Sequence, residues 1–105
     1  MRERDIENYL VKRVKAMGGE VRKVQWIGRR GAPDRLVMLP ETWWKDMVFG
    51  IERDKRTPGR SIWVELKAPG VKPELYQLRE HDRMRAMGQR VEVIDSLAGV
   101  EELLS

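Results

Sequence analysis

The sequence predicts a small mixed α/β domain, in which helices flank one small sheet. Apolar residues recur at helical spacing along residues 2–17, whereas they alternate with polar residues along 61–67. The predicted order of elements is α-β-β-β-α-β-α, which is typical of helices packed on a sheet. The length of 105 residues leaves room for a single domain, residues 1–105.

The first half of the chain is predicted to begin with a helix and to continue with two strands. The helix spans 2–17 and ends at two glycines, and its apolar stripe consists of Ile6, Tyr9, Leu10, Val14 and Met17. Residues 20–27 mix valine and tryptophan with polar residues and suit a strand. A Gly- and Arg-rich turn then leads to a second short strand, RLVML, at 35–39.

The segment 40–60 combines an apolar part with a basic part. Its second part, RDKRTPGR at 53–60, is expected to form an exposed basic loop. Its first part holds too many large apolar side chains for a free loop, namely Trp43, Trp44, Met47, Val48 and Phe49. They are interpreted either as local core beneath the sheet or as an insertion that joins two copies of the chain, for which an exchanged hairpin is one arrangement.

The second half contains the clearest strand, SIWVELK at 61–67. Ile62, Val64 and Leu66 share one face of that strand, and Trp63, Glu65 and Lys67 share the other. Pro73 suits the first turn of a helix that runs to Met87 and stops at Gly88. A final strand is predicted at 90–95 and a short helix at 100–104.

Composition and charge exclude several classes of protein. There are no cysteines, which rules out disulfides, a thiolate nucleophile and cysteine-bound metals. No apolar run is long enough for a membrane span and the first ten residues do not resemble a secretion signal, so we expect a cytoplasmic protein. The net charge of +4 conceals a basic body, because residues 91–105 carry four acids and no base. Such a body suits either a polyanionic partner or an ordinary solvated surface.

Carboxylates are the best candidates for chemistry. The chain has one histidine, His81, and neither Ser61 nor Ser96 has the context of a catalytic nucleophile. Asp34 follows a Gly-Ala-Pro turn, and Glu65 lies two residues before Lys67 on one face of a strand. Taken singly, Asp34 suits turn stabilisation and the Glu-x-Lys pair suits a half-exposed sheet face.

Taken together, these residues resemble the PD-(D/E)XK nuclease superfamily, with Pro33-Asp34 and then Glu65-Leu66-Lys67. The wider pattern resembles its VRR-Nuc branch: a Glu-containing first helix that ends near glycine, the turn at 31–35, the VELKA strand at 64–68, Lys72-Pro73, Gln77, and Gly88 before Val91. This resemblance covers nearly the whole chain. It implies a restriction-endonuclease-like fold and a DNA endonuclease that uses Mg²⁺ or Mn²⁺.

Hard divalent cations prefer oxygen ligands, which suits the residues of this motif. Asp34 and Glu65 are expected to bind the metal, with the backbone carbonyl of Leu66 as a further ligand. Lys67 could orient or deprotonate the attacking water and stabilise the transition state. The resemblance adds an acid on the first helix, Glu3, with Glu7 as the alternative.

Further residues are expected around this centre. Gln77 lies one turn into its helix and could contact the water of the metal or the scissile phosphate. His81 is interpreted as a packing or supporting residue rather than the general base. Basic side chains are candidates for contact with the DNA backbone: Arg29, Arg30, Arg35 and Lys72.

Stand-alone members of the family, often carried by phages, resemble four-way (Holliday) junction resolvases that act as two-fold dimers. A homodimer is therefore expected, because two opposed cuts need two opposed sites. Two alternatives remain: a less selective nuclease for flap or duplex DNA, and a non-catalytic basic DNA-binding module. The intact set of Asp34, Glu65 and Lys67 argues against the second, as does the absence of a helix-turn-helix or zinc-finger pattern.

Overall fold

The structure, a computed structural model, describes all 105 residues. Its nine elements are α1 (Glu3–Ala16), β1 (Glu20–Lys23), β2 (Arg35–Leu39), β3 (Thr42–Val48), β4 (Ile51–Thr57), β5 (Arg60–Leu66), α2 (Leu75–Ala86), β6 (Val91–Ile94) and α3 (Leu97–Leu104). The predicted order of elements is present, with β3 and β4 added between the second and third predicted strands. The α/β class is thereby confirmed.

Four strands form one mixed sheet in the order β1-β2-β5-β6. β1 pairs antiparallel with β2, β2 pairs antiparallel with β5, and β5 pairs parallel with β6. The parallel pair is reached through α2, as a crossover between parallel strands requires. In the β2–β5 register Arg35 lies opposite Val64, so the residue before β2 lies beside the last residues of β5.

The main core lies between one face of the sheet and the helices α1 and α3. Its twelve buried side chains are Ile6, Leu10, Val14, Val37, Leu39, Ile62, Val64, Leu66, Ile94, Val100, Leu103 and Leu104. The predicted stripe of α1 supplies three of them, and the predicted apolar face of β5 supplies three more. The alternation in β5 therefore identified the core face correctly.

The helix α2 covers the opposite face of the sheet, which carries Glu65. It buries Glu80, His81 and Met84, two of which are polar. This second layer is why Glu65 is only 9% exposed. The half-exposed face that suited the Glu-x-Lys pair on its own is covered instead.

The segment 40–60 forms a separate two-stranded hairpin, in which Trp43 pairs with Arg56 and Val48 pairs with Ile51. Of the two interpretations of the apolar cluster, local core is wrong, whereas an insertion that joins two copies stays a prediction; the basic segment is exposed as expected but is not a loop. The expected local core is absent, because Trp43 is 65% and Phe49 is 99% exposed, and the expected basic loop is largely strand β4. The hairpin extends from a molecule whose principal dimensions are 52 × 33 × 21 Å.

Two boundaries also differ from the sequence prediction. β1 ends at Lys23 rather than at residue 27, since the chain turns away after Val24 donates to the carbonyl of Asp34. The last helix begins at Leu97, because the hydroxyl of Ser96 caps it by accepting from the N–H of Gly99. None of the helices has the length and apolar character needed to cross a membrane.

Candidate active site

The predicted acids meet at one end of the central strand pair. Asp34 immediately precedes β2, and Glu65 is the penultimate residue of β5. Because Arg35 is paired with Val64, antiparallel pairing brings Asp34 next to Glu65 across the sheet. The two halves of the motif, thirty residues apart in sequence, are thus neighbours in space.

Glu65 lies in an environment that disfavours its negative charge. The pKa of Glu65 is raised from 4.5 to about 7, chiefly because burial disfavours the carboxylate. The negative charges of Asp34 and Glu3 raise this pKa further, and the positive charges of Lys67 and Arg35 oppose them. Its Oε1 atom is buried without a hydrogen-bond partner. A buried carboxylate with two further negative charges nearby is the kind of group that a cation would stabilise.

Asp34 is the accessible member of the pair. Its side chain is about half exposed and lies on the wall of a cleft of about 410 Å³ that Lys23, Val24 and Gln25 also line. One of its oxygens, Oδ1, lies 2.9 Å from Nη1 of Arg35. The site therefore combines a buried acid with an acid that opens to solvent.

Arg35 holds two acids together from a buried position. Its Nη2 donates to Oε1 of Glu7 at 3.0 Å while its Nη1 pairs with Asp34, and the residue is 8% exposed. This does not agree with the expectation that Arg35 contacts the DNA backbone, since a phosphate contact needs an open guanidinium. Arg35 instead orients Asp34.

The structure separates the two candidate acids of the first helix. Glu3 raises the pKa of Glu65 by its charge, which places it on the side of the acidic pair. Glu7 is committed to its ion pair with Arg35. Of the two, Glu3 is the acid that remains available to the centre.

Leu66 and Lys67 follow Glu65 directly. Leu66 is the last residue of β5 and its side chain belongs to the main core, which fixes the backbone at this point. The N–H of Lys67 donates to the carbonyl of Ile94 at 2.9 Å. The ammonium of Lys67 acts on Glu65, because its charge is the largest influence that opposes the rise in pKa.

The helix α2 brings two predicted residues to the same region. Oε1 of Gln77 accepts from the N–H of Glu74 at 2.8 Å, so Gln77 caps the helix and only its amide nitrogen remains for a substrate. His81 lies one turn further on and is fully buried. Its Nε2 is 3.4 Å from Oε1 of Glu65, and burial lowers the pKa of His81, which favours the neutral ring.

The remaining basic candidates are exposed. Arg29 pairs with the buried Glu80 at 3.4 Å, and the guanidinium of Arg30 lies 3.9 Å from the ring centroid of Tyr76. Both contacts fasten the loop before Asp34 to α2 while leaving the cations at the surface. Lys72 is exposed in the turn between β5 and α2.

The loop that ends at Asp34 is held at two points. Nε1 of Trp26 donates to the carbonyl of Pro33 at 2.9 Å, and the ring of Trp26 packs on Trp63 with centroids 5.2 Å apart. Gly31 has a φ of +86°, and a Cβ there would lie 2.9 Å from the carbonyl oxygen of Tyr76. A glycine is therefore required where the loop crosses the start of α2.

The donor set fits a hard cation with an incomplete protein shell. No three acidic or histidine side chains converge on one point as a closed cage. Mg²⁺ usually takes one or two carboxylates and keeps several waters, so Asp34, Glu65 and a backbone carbonyl are enough. The buried carboxylate of Glu65 and the negative charges of Asp34 and Glu3 near it are what such an ion would compensate.

Some features of the site were not anticipated from the sequence. These are the burial of Glu80, the ion pairs of Arg35, the stack of Trp26 on Trp63, and the approach of His81 to Glu65. One signal for the last was present, because His81 lies one helical turn after Gln77 on the same face. The others depend on how α2 and the loop pack.

Asp34 precedes one strand, and the buried Glu65 lies on the paired strand two residues before Lys67. This arrangement is typical of nucleases of the PD-(D/E)XK class. Comparison with known proteins agrees. The fold matches a solved structure described as a VRR_NUC domain, with a TM-score of 0.72 and 37% identity, over 97% of this chain and 92% of that one.

A protein named "Putative nuclease p44" from Acyrthosiphon pisum secondary endosymbiont phage 1 is 46% identical over 96 residues, which are 91% of this chain and 85% of the phage protein. No model of a protein family matches the sequence. At this level of identity and coverage, the chain belongs to the VRR-Nuc family of nucleases, as its motifs predicted.

Proposed function

We propose that this chain is a Mg²⁺- or Mn²⁺-dependent endonuclease that cuts branched DNA, with the four-way junction as its substrate and a homodimer as its active form. The observation that carries the proposal is Glu65: a carboxylate buried beside Asp34 and in the field of Glu3, so that its negative charge lacks full compensation. Family membership supports nuclease activity, and this geometry supports the cation.

The carboxylates would hold the metal, with Asp34 on the open side of the site and Glu65 on the closed side. The carbonyl of Leu66 would complete the protein ligands. A bound divalent cation supplies positive charge for the scissile phosphate and lowers the pKa of a water that can attack it. Arg35 keeps Asp34 in place through the contact of 2.9 Å.

Lys67 and Gln77 would act on the reacting groups. The ammonium of Lys67 is close enough to Glu65 to change its pKa, and it would orient the attacking water and stabilise charge on the phosphate. The amide nitrogen of Gln77 would donate to a phosphate oxygen, since its carbonyl oxygen is used in capping α2.

The exposed cations beside the site suit the DNA backbone. Arg29, Arg30 and Lys72 lie on the loop before Asp34 and on the turn after β5. Contacts from such residues position a duplex without reading its sequence, which is what a structure-selective nuclease needs. The chain would then recognise the shape of the DNA rather than its bases.

The hairpin β3–β4 supports the dimer. An isolated two-stranded hairpin is at best marginally stable in water. This one makes its strand contacts with itself and exposes large apolar side chains: Trp43, Trp44, Met47, Phe49 and Ile51. A second copy of the chain would cover them and present a second site in the opposite sense, as two cuts on a symmetric junction require.

Cleavage assays with labelled four-way junction, flap and linear duplex test the function. We expect junction cleavage with Mg²⁺ or Mn²⁺ and none with EDTA. Asp34→Asn and Glu65→Gln should each lower the rate by at least about a hundredfold, the effect of losing one electrostatic stabiliser from an active site.

The matched control is Glu102→Gln, which removes an exposed acid from α3 and should cleave like the parent protein. Cleavage that persists in EDTA, or in either site variant, would refute the metal centre. Equal cutting of duplex and junction would refute the preference for branched DNA and favour a less selective nuclease. Tight DNA binding without any cutting would identify the chain as a binding module.

A further inference from the structure

His81 is the one histidine of the chain, and it is completely buried between α2 and the sheet. Both of its ring nitrogens lack a hydrogen-bond partner, as does Oε1 of Glu65. Nε2 of His81 and this Oε1 atom are 3.4 Å apart. These two side chains therefore hold three unpartnered buried polar atoms, two of which face each other.

Burying a polar group without a hydrogen bond costs about 1–3 kcal/mol, so such groups are rare unless they have a use. An apolar side chain would fill the same space beneath α2 without that cost. The polar atom that His81 reaches is an oxygen of the acid at the centre of the site. The position therefore calls for an explanation in terms of Glu65.

We infer that His81 is a positioning residue, whose Nε2–H donates to Oε1 of Glu65 and leaves the other carboxylate oxygen to face the cation. This inference rests on the proposed function, because Glu65 is taken to be a metal ligand. A distance of 3.4 Å exceeds the usual 2.7–3.2 Å for an N–H···O bond. Hydrogen bonds of catalytic groups commonly shorten when the complex with substrate forms.

The surroundings of His81 make it a rigid support. The next turn of α2 buries Met84, and the start of the helix is fixed by its capping box and by the crossing of Gly31. Metal-binding carboxylates are themselves usually hydrogen-bonded, and losing such a support lowers metal affinity by about 10–100-fold. We expect His81 to contribute on this scale.

Three substitutions separate hydrogen bonding from packing. His81→Leu keeps bulk and removes the donor. His81→Gln places an amide nitrogen near the position of Nε2, whereas His81→Asn places one near Nδ1. Mn²⁺ binding is measured by electron paramagnetic resonance on each variant, with thermal melting in EDTA as the check on folding.

We expect His81→Leu and His81→Asn to bind Mn²⁺ at least about 10-fold more weakly than the parent protein, and His81→Gln to recover most of the loss. Wild-type affinity in His81→Leu, or equal weakening in all three variants, would overturn the inference. The second result would mean that the ring acts through its shape.

A measurement on the unsubstituted protein does not depend on the folding of variants. With ¹⁵N-labelled histidine the spectrum reports on His81 alone, because the chain has no other histidine. We expect the Nε2–H tautomer in the Mg²⁺-loaded protein. The Nδ1–H tautomer would overturn the inference, since Nε2 would then have no proton to donate.

These measurements distinguish the two levels of the argument. If the parent protein neither binds Mn²⁺ nor cuts DNA, the proposed function fails. If it does both while the tautomer is wrong or His81→Leu binds normally, only the role of His81 fails.

Discussion

At the scale of single residues, Glu65 shows how far a sequence motif determines a site. The Glu-x-Lys spacing on a strand predicted that both side chains leave one face of the sheet, and the structure places Glu65 on that face. The burial of Glu65 could not be predicted, because it depends on α2 lying over the same face. Burial is also what raises the pKa of this acid to about 7.

The raised pKa gives Glu65 a measurable effect on stability in the absence of metal. Between about pH 4.5 and 7 the folded chain binds a proton at Glu65 that the unfolded chain has lost, so stability falls as pH rises through this window. Glu65→Gln removes the effect. In EDTA at pH 8, we expect this variant to be more stable than the parent by up to about 3 kcal/mol.

Thermal melting at a series of pH values checks this expectation. Below pH 4 the two proteins should melt alike, and the gap should open between pH 4.5 and 7. Adding Mg²⁺ at pH 8 should stabilise the parent and not Glu65→Gln, because ligand binding favours the folded state. A constant gap at all pH values would show that Glu65 does not titrate as described.

For Arg35, in contrast, the role expected from the sequence differs from the contacts in the structure. It lies in the most basic part of the sequence, which made a contact with DNA the natural expectation. The structure turns it inward to Glu7 and Asp34, because it is the first residue of a strand whose alternate side chains are buried. The charge of this part of the sequence identified a basic surface, but it could not show which of the basic side chains are buried.

Substitutions at Arg35 and Arg30 should therefore behave differently. Arg35→Lys loses the forked contact with two acids and should cost about 1–3 kcal/mol of stability while hardly changing the salt dependence of DNA binding. Arg30→Ala loses only the exposed contact with Tyr76 and should cost about 0.5–1 kcal/mol of stability, while it should lower the slope of log affinity against log salt by about 1. Denaturant unfolding measures the stability of each variant, and DNA titration at several salt concentrations measures the slope. A lower slope for Arg35→Lys with unchanged stability would mean that Arg35 contacts a phosphate.

At the scale of elements, the loop that ends at Asp34 links the sheet to α2. Its turn residues were visible in sequence, since Gly31-Ala32-Pro33 breaks the chain between two strands. What it packs against was not visible, because Tyr76 and Gln77 are more than forty residues away. The core strands were predictable from alternation, whereas the contacts between layers needed the assembled fold.

Two glycines of this loop allow a controlled test of that contact. Gly28 and Gly31 both have positive φ, but a Cβ at Gly28 meets nothing within 4 Å, whereas at Gly31 it meets Tyr76 at 2.9 Å. Both alanine variants should lose about 1 kcal/mol from backbone strain. Only Gly31→Ala should also lose cleavage, by about 10-fold or more, because the shifted loop displaces Asp34. Similar cleavage by both variants would show that the crossing does not position the acid.

At the scale of the whole molecule, the basic body and the acidic end belong to different surfaces. The acids of residues 91–105 lie on β6, on α3 and, for Asp95, between them, and α3 packs with α1 on the face away from Glu65. The exposed cations Arg29 and Arg30 lie on the loop that leads to Asp34, beside the pair of Asp34 and Glu65. The net charge of +4 is therefore the sum of a basic surface beside the site and an acidic surface on another face. This separation of charge would orient the molecule on DNA.

The hairpin is the feature for which sequence and structure complement each other. The sequence showed an apolar segment that a loop could not accommodate, and the structure shows that the segment has no core to enter. Trp43 and Met47 share one face of β3, and their side chains are 65% and 63% exposed. A surface of this kind on a small chain is typical of a contact with another chain.

Removing that surface should dissociate the proposed dimer. We expect light scattering to show a dimer for the parent protein at micromolar concentration and a monomer for Trp43→Ser/Met47→Ser. The circular dichroism spectrum of the variant should still show the helices of the folded chain. Met87→Ser is the matched control, because Met87 is 70% exposed at the end of α2, outside the hairpin.

The monomeric variant should nick one strand of a junction instead of making paired cuts, since each chain carries one complete set of Asp34, Glu65 and Lys67. A parent protein that stays monomeric with junction DNA present would refute the dimer and leave the single site as the functional unit.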